Sequence, residues 1–264
     1  MISIIVCSRQ PASWLLHENH AKMTIGVPCE YIRIDNTQDT FKSLCAAYNE
    51  GVRRAKGDIL VFMHEDASLE TRDWGKVVEE KLQDKTIGLL GLCGTQYFFA
   101  DNYEWVAADR PYLKGWIIHP QALIERALPD VKEWAPENDF LMMKFDPTHV
   151  DADVVALDGV FLAARREVFD KVKWDDETFD NYHFYDMDIS MQIRESGYRV
   201  VSTTDIFLIH YTGGVYFNET IKKYGQRFLE KWVKHLPASC ADTVPVCQCE
   251  RPWVNFVVFH SGLW

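Results

Sequence analysis

Ala55-Lys-Gly-Asp-Ile-Leu-Val-Phe-Met-His-Glu-Asp66 contains the strongest structural signal in the chain. Its central residues, from Ile59 to Met63, are all apolar, and Gly57 precedes them as a turn residue. A short continuous apolar run of this kind is typical of a strand that is buried on both faces of a parallel sheet. Because the run ends abruptly at three polar residues, the segment predicts a buried strand with polar side chains at its carboxyl end.

Two further strands are predicted upstream, and each of them also ends in polar residues. Residues 2–7 form an apolar run that stops at Ser8, and residues 30–34 form a second run that stops at Asp35-Asn36. Ligands bind at the carboxyl ends of the strands in open α/β sheets, so the first half of the chain is predicted to bind a nucleotide. The glycine-rich dinucleotide fingerprint and the P-loop are both missing from the sequence, which disfavours hydride-transfer enzymes and P-loop kinases.

Strands and helices continue to alternate in the second half of the chain. Residues 154–163 predict a pair of strands broken at Asp158-Gly159, whereas residues 97–150 show only weak periodicity. The other predicted elements are a helix near 40–55, short helices near 121–127, a helix over 186–196, strands over 198–202 and 206–210, and an amphipathic helix over 218–235. Together they predict an α/β fold with a mostly parallel central sheet flanked by helices. We expect one domain over 1–236 and a C-terminal extension over 237–264.

The composition limits the partners and the location of the protein. The chain has a formal net charge of −11 and no basic run, which argues against a nucleic-acid partner. An acidic protein that binds an anionic nucleotide needs local compensation, and a divalent cation held by carboxylates is one way to supply it. No apolar segment reaches the roughly 20 residues that a membrane helix needs, and no secretory signal is visible. These features predict a cytoplasmic protein without a transmembrane segment.

The cysteines indicate a reducing compartment. Their number is odd, and several lie in apolar segments, where free thiols behave as small hydrophobes. Cys240, Cys247 and Cys249 cluster near the C-terminus, but their spacing lacks the paired motifs of a zinc knuckle. Incidental thiols are therefore the preferred interpretation of this cluster, and a metal site is the alternative.

Several short segments follow one another in a definite order along the chain. They are Ile4-Ile-Val-Cys-Ser8, Ile34-Asp-Asn36, Tyr48-Asn-Glu-Gly51, the segment from Ala55 to Asp66, Leu157-Asp-Gly159, Tyr185-Asp-Met-Asp188 and Ile209-His210. None is specific by itself, but in order and spacing they resemble the motifs of the GT-A glycosyltransferases, in particular the family 2 type. The resemblance implies a GT-A sheet that binds a nucleotide sugar with its first half, about 1–100, and an acceptor with its second half, about 101–236.

The resemblance also implies contacts to the nucleotide sugar. In that family an acid at the end of the second strand contacts the nucleobase, and Asp35 and Asn36 take this position here. Ser8 lies where the loop after the first strand would touch the nucleoside, and His64 and Glu65 belong to the same nucleotide-sugar site. Asp and Asn also favour turns for local reasons, so a simple turn is the alternative for Asp35 and Asn36.

The family's metal motif is Asp-x-Asp at the end of the third strand, where this chain has His64-Glu65-Asp66. The resemblance makes Asp66 a ligand of Mn²⁺ or Mg²⁺ and places His210 at the metal or the diphosphate. His64 replaces an acid that in relatives lies near the ribose or the donor sugar, and an imidazole suits Mn²⁺ better than Mg²⁺. The alternatives are a polar loop at 64–66 and a structural histidine at 210.

The second carboxylate motif, Tyr185-Asp-Met-Asp188, resembles the family's Glu-Asp-x-Asp segment, with Tyr185 in place of the Glu. The resemblance makes Asp186 the catalytic base, which takes the proton of the acceptor hydroxyl as it attacks. It places Asp188 and the Asp158-Gly159 turn at the acceptor. An Asp at the start of a helix is also a common N-cap, and an Asp-Gly pair is also a hairpin signal, so both local alternatives stay open.

These assignments predict an enzyme, a glycosyltransferase of the hexosyltransferase class, with a role in polysaccharide biosynthesis. It would move one sugar from a UDP- or GDP-sugar to a glycan, a lipid-linked or a protein acceptor. A direct displacement would invert the anomeric configuration, although GT-A folds host both inverting and retaining enzymes. The alternatives are a catalytically inactive sugar-nucleotide-binding protein and a sugar-1-phosphate nucleotidyltransferase. Lysines on the last helix would allow a peripheral contact with the inner membrane face, with a solvated helix face as the alternative.

Overall fold

The computed structural model describes residues 1–10, 14–127, 140–212, 219–247 and 257–260 of the chain. Its strands are β1 Ile2–Ser8, β2 Cys29–Asp35, β3 Ile59–Met63, β4 Ala67–Leu69, β5 Ile87–Gly91, β6 Cys93–Thr95, β7 Tyr97–Phe98, β8 Leu113–Pro120, β9 Phe140–Lys144, β10 Ala152–Asp153, β11 Ala156–Leu157, β12 Phe161–Arg165, β13 Arg199–Ser202, β14 Leu208–His210, β15 Ala238–Ser239 and β16 Val257–His260. Its helices are α1 Trp14–Thr24, α2 Leu44–Arg54, α3 Trp74–Lys81, α4 Gln121–Ala127, α5 Tyr185–Glu195 and α6 Glu219–Trp232, with 3₁₀ turns at Trp105–Ala108 and Arg166–Asp170.

The central sheet has seven strands in the order β10-β13-β5-β12-β3-β1-β2. β1 runs parallel to β2 and β3, and β13 runs parallel to β5. β12 runs antiparallel to both β3 and β5, and β10 runs antiparallel to β13. β1, β2, β3, β5 and β13 therefore share one direction, which confirms the predicted α/β fold with a mostly parallel sheet.

Two hydrophobic cores cover the two faces of this sheet. In β1, Ile5 belongs to the core that includes residues of α2, α5 and α6, whereas Ile4 and Val6 belong to the core that includes residues of α1 and α3. Because successive side chains of a strand point to opposite faces, a strand that is apolar throughout has to be covered on both sides. Helix α2 lies very close to β1, since a Cβ added at Gly51 would be 2.3 Å from Cγ2 of Ile5.

A second sheet, in the order β11-β6-β8-β14-β4, lies beside the first, and β9 pairs with β8. The predicted strand pair at Asp158-Gly159 is wrong, because β11 pairs with β6 in this second sheet and β12 belongs to the central sheet. The chain crosses between the sheets at this point. The Asp158 N–H donates to the Cys93 carbonyl at 2.8 Å, and the Asp158 carboxylate accepts from the Val160 N–H at 3.0 Å. Asp158 and Gly159 consequently lie between the two sheets.

Four helices agree with the predicted ones to within a few residues, namely α2, α4, α5 and α6, whereas α1 was not predicted. Helix α2 begins at Leu44, later than predicted, because the Ser43 hydroxyl caps it by accepting from the Ala46 N–H at 3.1 Å. The helix predicted over 218–235 is described from Glu219 to Trp232, and residue 218 lies outside the described residues. Within the described ranges, no helix is both long and apolar enough to cross a membrane.

The beginning of the predicted C-terminal extension packs on the rest of the fold. β15 pairs antiparallel with β7, and the Cys240 N–H donates to the Gln96 carbonyl at 3.0 Å. Cys240 is a free thiol, whereas Cys247 is disulfide-bonded, and Cys249 lies outside the described residues. Cys247 is therefore not the incidental thiol that the preferred interpretation made it.

Candidate functional site

Four polar residues from distant parts of the chain meet where β3, β8 and β14 end and β4 begins. His64 follows β3 directly, and His210 ends β14, which pairs with β4 so that His210 lies opposite Ala67. This register sets His210 beside Asp66, the residue before β4. Nδ1 of His119, near the end of β8, lies 3.0 Å from the carbonyl oxygen of His210. Strand pairing therefore assembles a cluster that no single segment of the chain contains.

His64, Asp66 and His210 form a cluster of possible metal ligands. Nε2 of His210 lies 3.4 Å from Oδ1 of Asp66 and 3.4 Å from Nδ1 of His64, and that Nδ1 lies 3.9 Å from the same carboxylate oxygen. One ligand atom from each residue lies within 4.8 Å of the others. Two imidazole nitrogens and a carboxylate oxygen are a donor set that a divalent transition-metal ion accepts. The residues therefore fit the metal that the resemblance implies.

The electrostatics of the cluster match this role. Burial opposes the ionisation of Asp66, but hydrogen bonding and the charge of His210, followed by His64 and Thr212, outweigh it and hold the pKa of Asp66 well below its usual range. Thr212 donates to Oδ2 of Asp66 at 2.5 Å. Burial, followed by the neighbouring His210, lowers the pKa of His64. At neutral pH Asp66 is ionised and His64 is neutral, and these are the forms that bind metal ions.

Asp186 lies in the first turn of α5 and has a different environment. Its two oxygens accept hydrogen bonds from the Gly159 and Met187 N–H groups, both at 2.9 Å. Burial and the charge of Asp158 raise the pKa of Asp186 to about 7. Phe184, with φ 64°, is the N-cap of α5, so Asp186 does not cap the helix. The geometry leaves a carboxylate that takes up a proton near neutral pH.

Two neighbouring cavities meet at His64. The larger, of about 850 Å³, is lined by Asp66 and by residues of the loop after β1. The smaller, of about 250 Å³, is lined by Asp158, Gly159 and Asp186 together with several aromatic rings. His64 and Tyr182 line both cavities. Of the cluster, Asp66 lines only the larger cavity and His210 only the smaller one, which also contains Asp186.

The residues predicted to contact the nucleoside lie at the same end of the sheet but differ in accessibility. Ser8 is fully buried, and its hydroxyl has no hydrogen-bond partner among the described residues. Asp35, opposite Ser8 in the β1–β2 register, is exposed and accepts from the N–H and hydroxyl of Thr37 at 3.0 and 2.8 Å. The carboxylate of Glu65 accepts from the Arg9 and Gln10 N–H groups at 2.9 and 3.2 Å. Glu65 therefore holds the loop after β1 at the larger cavity.

Asn36 is buried and fully engaged within the protein. Its side chain donates to the Phe41 carbonyl and to the Tyr182 hydroxyl, both at 2.9 Å, and accepts from the Phe41 N–H at 2.7 Å. The turn expected as the alternative is present. Tyr182 lines both cavities, and the hydrogen bond from Asn36 helps to hold its ring in place.

The structure does not bring Asp188 to either cavity. Asp188 is 1% exposed and accepts from the Trp232 indole at 2.9 Å and from the Gln192 amide at 2.7 Å. It also pairs with the Lys231 ammonium at 2.6 Å. Asp188 on α5 therefore connects this helix to α6 through Lys231 and Trp232. In the described fold it neither caps a helix nor lies where it could contact an acceptor.

The sequence pattern missed two residues of the site. His119 lines the smaller cavity, and burial followed by His210 lowers its pKa to about 4. It follows the apolar run from Trp116 to Ile118, which is the same signal of a strand ending in a polar residue that identified β3. Tyr182 lies in a loop, and no periodicity could have pointed to it.

The comparison with known proteins agrees with this geometry. The model of a glycosyltransferase-like family matches residues 3–232. No curated protein sequence matches the chain. The chain is similar to the structure of the mannosyltransferase PcManGT from Pyrobaculum calidifontis in complex with GDP-Man and Mn²⁺, with 14% identity and a TM-score of 0.55 over 92% of this chain and 65% of that one.

A second similar structure is that of GalNAc-T7 with UDP, GalNAc and Mn²⁺, with 11% identity and a TM-score of 0.55 over 88% of this chain and 49% of that one. The chain thus spans 65% and 49% of the lengths of the two neighbours. At these identities the likeness shows the GT-A fold alone. Because the family model covers most of the sequence, the chain belongs to the glycosyltransferase-like family.

Proposed function

We propose that this protein transfers a single sugar from a nucleotide-diphosphate sugar to an acceptor hydroxyl, with inversion at the anomeric carbon. One observation carries the proposal: Asp66 lines the larger cavity, Asp186 and His210 line the smaller one, and His64, which completes the cluster with Asp66 and His210, lines both. When a hydroxyl displaces a diphosphate, a base has to take the proton of the hydroxyl and a cation has to stabilise the departing diphosphate.

The larger cavity is proposed to take the nucleotide sugar. Its volume of about 850 Å³ lies within the range of small-molecule sites. His64, Asp66 and His210 would hold the cation, and their mixed nitrogen and oxygen donors favour Mn²⁺ over Mg²⁺. A cation bound there neutralises the charge that develops on the departing diphosphate. Both structural neighbours were solved with Mn²⁺ and a nucleotide or nucleotide sugar, which supports this assignment.

Arg9 and Gln10, which lie in the loop after β1 and line the larger cavity, are proposed to contact the nucleotide sugar. Glu65 holds the backbone of this loop, and the Arg9 guanidinium lies over the Tyr182 ring, 5.4 Å from its centroid. Arg9 also pairs with Asp39 at 2.8 Å, so the loop is tied to the turn that follows β2. Neither Ser8 nor Asp35 lines the larger cavity. Asp35, exposed on the same edge, stays the proposed nucleoside contact, whereas the Ser8 side chain is fully buried.

The smaller cavity is proposed to take the acceptor, with Asp186 as the base. The Gly159 and Met187 N–H groups hold the two carboxylate oxygens and still leave lone pairs for a proton. A pKa of about 7 suits a general base that works near neutral pH. Asp186 lines the smaller cavity and Asp66 the larger. A single displacement by a hydroxyl activated at Asp186 would invert the anomeric configuration.

The test is the release of nucleoside diphosphate from a panel of UDP- and GDP-sugars in Mn²⁺, in Mg²⁺ and in EDTA. We expect release from at least one donor that depends on the metal, with slow hydrolysis in the absence of an acceptor. Pyrophosphate exchange with a sugar 1-phosphate would instead identify a nucleotidyltransferase. Donor binding without release under any of these conditions would identify an inactive binder.

A further inference from the structure

The two positions at which the sequence departs from the GT-A motifs contact each other. His64 stands where the metal motif has an acid, and Tyr185 stands where the second carboxylate motif has a Glu. The Tyr185 hydroxyl lies 2.7 Å from Nε2 of His64, although the residues are 121 positions apart in the chain. An imidazole and a phenol are complementary hydrogen-bonding groups, whereas two carboxylates at this distance would repel each other. The pair therefore acts as a unit.

The hydrogen bond between Tyr185 and His64 affects the metal cluster because it determines which of the two ring nitrogens of His64 carries the proton. A neutral imidazole carries a proton on one nitrogen and a lone pair on the other. Nδ1 is the atom that faces the cluster, 3.4 Å from Nε2 of His210 and 3.9 Å from Oδ1 of Asp66. To hold a cation Nδ1 must offer its lone pair, so the proton must lie on Nε2. The partner of Nε2 must then accept a hydrogen bond, and the Tyr185 oxygen is able to do so.

We propose that Tyr185 is a positioning residue that fixes His64 in the tautomer with its proton on Nε2 and its Nδ1 lone pair directed at the cation site. The inference rests on the proposed function, since it assumes a cation held by His64, Asp66 and His210. Groups that accept the second ring proton of a metal-binding histidine set both its orientation and its basicity.

The packing around Tyr185 is suited to this task. Its side chain is 4% exposed, and its ring packs against Tyr48 and Trp174 with centroids 5.9 and 6.0 Å apart. The backbone approaches the hydroxyl closely at Gly159, where an added Cβ would lie 2.0 Å from the phenolic oxygen. The hydroxyl consequently has little freedom to leave Nε2 of His64, and position 159 requires a glycine.

The same hydrogen bond joins the two cavities. Tyr185 lines the smaller cavity, and Gly159, which touches its hydroxyl, donates its N–H to Asp186. When the Tyr185 oxygen accepts from His64, its own O–H group is still able to donate a hydrogen bond. Tyr185 thereby contacts both the His64 ring at the cation site and Gly159, which donates to the proposed base.

The experiment measures Mn²⁺ affinity by the electron paramagnetic resonance of free Mn²⁺, with no substrate present. Tyr185→Phe removes the accepting oxygen and keeps the ring. We expect it to weaken Mn²⁺ binding by roughly 10–100-fold, the effect typical of losing a partner behind a ligand. The matched control is Tyr31→Phe, since the Tyr31 hydroxyl also lies 2.7 Å from a ring nitrogen, Nδ1 of His17, and His17 is not part of the cluster. This control should change the affinity by less than about twofold.

A double-mutant cycle separates a role through His64 from general loosening. In a His64→Asp background the ligand is a carboxylate, which has no tautomer, so adding Tyr185→Phe should change Mn²⁺ affinity no further. An equal loss in both backgrounds, or an equal loss from Tyr31→Phe, would overturn the proposal. So would unchanged Mn²⁺ affinity of Tyr185→Phe.

The release of nucleoside diphosphate, measured in parallel, distinguishes the two proposals. If the unmodified protein binds Mn²⁺ and releases nucleoside diphosphate while Tyr185→Phe binds Mn²⁺ equally well, only the role of Tyr185 fails. If the unmodified protein does not bind Mn²⁺, the metal assignment fails and the role of Tyr185 fails with it.

Discussion

Asp66 and Asp186 line two different cavities that share His64, and their surroundings shift their pKa values in opposite directions. At Asp66, burial is outweighed by the hydrogen bond to His210 and by the electrostatic interactions with His210 and His64, which hold the pKa of the carboxyl group well below its usual range. At Asp186, burial and the charge of Asp158 outweigh the backbone hydrogen bonds and raise the pKa to about 7. Two chemically identical groups become suited to different tasks, one to hold a cation and the other to accept a proton.

The difference comes from the partners that folding brings to each carboxylate. Asp66 faces imidazoles, which are able to carry positive charge, whereas Asp186 faces backbone N–H groups and a second carboxylate. Asp188, two residues farther along α5, pairs with Lys231 in the interior and lines neither cavity. Asp186 and Asp188 belong to the same sequence motif but have different surroundings. The neighbours of an aspartate in space therefore indicate its role better than its motif does.

The largest expected effect comes from removing the base while keeping its shape. Asp186→Asn retains the amide oxygen that accepts from Gly159 but loses the capacity to take up a proton. We expect kcat for transfer to fall by roughly 10²–10⁴-fold, with the Kd of the donor changed by less than about threefold. Initial rates of transfer and a donor titration measure both quantities.

Asp180→Asn is the control for this substitution, since Asp180 pairs with Arg227 on α6 and lines neither cavity. It should keep kcat within about twofold. Full turnover by Asp186→Asn would show that another group takes the proton.

The next largest effect concerns Asp66, the carboxylate that is proposed to hold the cation. Asp66→Asn removes the charged ligand of the cluster, and we expect Mn²⁺ affinity to fall by about 100-fold or more, because direct ligands matter more than the groups behind them. Calorimetric titration with Mn²⁺ measures this change. Glu65→Gln, at the adjacent position, removes a carboxylate that holds the loop after β1, and it should leave Mn²⁺ affinity within about threefold of normal. Equal losses in the two variants would contradict the assignment of Asp66 as the ligand.

The smallest effect is a displacement of the pH profile. Asp186 acts as a base only when it is deprotonated, so kcat/KM should rise with pH up to about 7 and fall about tenfold per pH unit below that value. Asp158→Asn removes a negative charge that raises the pKa of Asp186, so the acidic limb should move to lower pH. Rates measured from pH 5 to 9 at saturating Mn²⁺ test this prediction. A limb that stays in place or moves to higher pH would mean that Asp158 does not tune the base.

The parts of the site that could be predicted from sequence lie at the ends of regular strands. β3 is a continuous apolar run, so the residues that follow it must lie at the carboxyl end of a buried strand. This holds whichever strands become the neighbours of β3. His119 follows a similar run at the end of β8, but it lay in a region of weak periodicity, so the sequence did not single it out. The Asp158-Gly159 pair predicts the turn of a strand pair, and this prediction is wrong because a turn signal does not say which sheet receives the next strand.

The sequence by itself determined the α/β class, the polar ends of β1, β2 and β3, and the order of the motifs, since these depend on residues close together along the chain. Only the tertiary structure decided that His210 meets His64 and Asp66, that Tyr185 contacts His64, and that Asp186 lines a cavity while Asp188 does not. These outcomes depend on strand register and on helix packing between segments more than a hundred residues apart, and no local pattern encodes such distances.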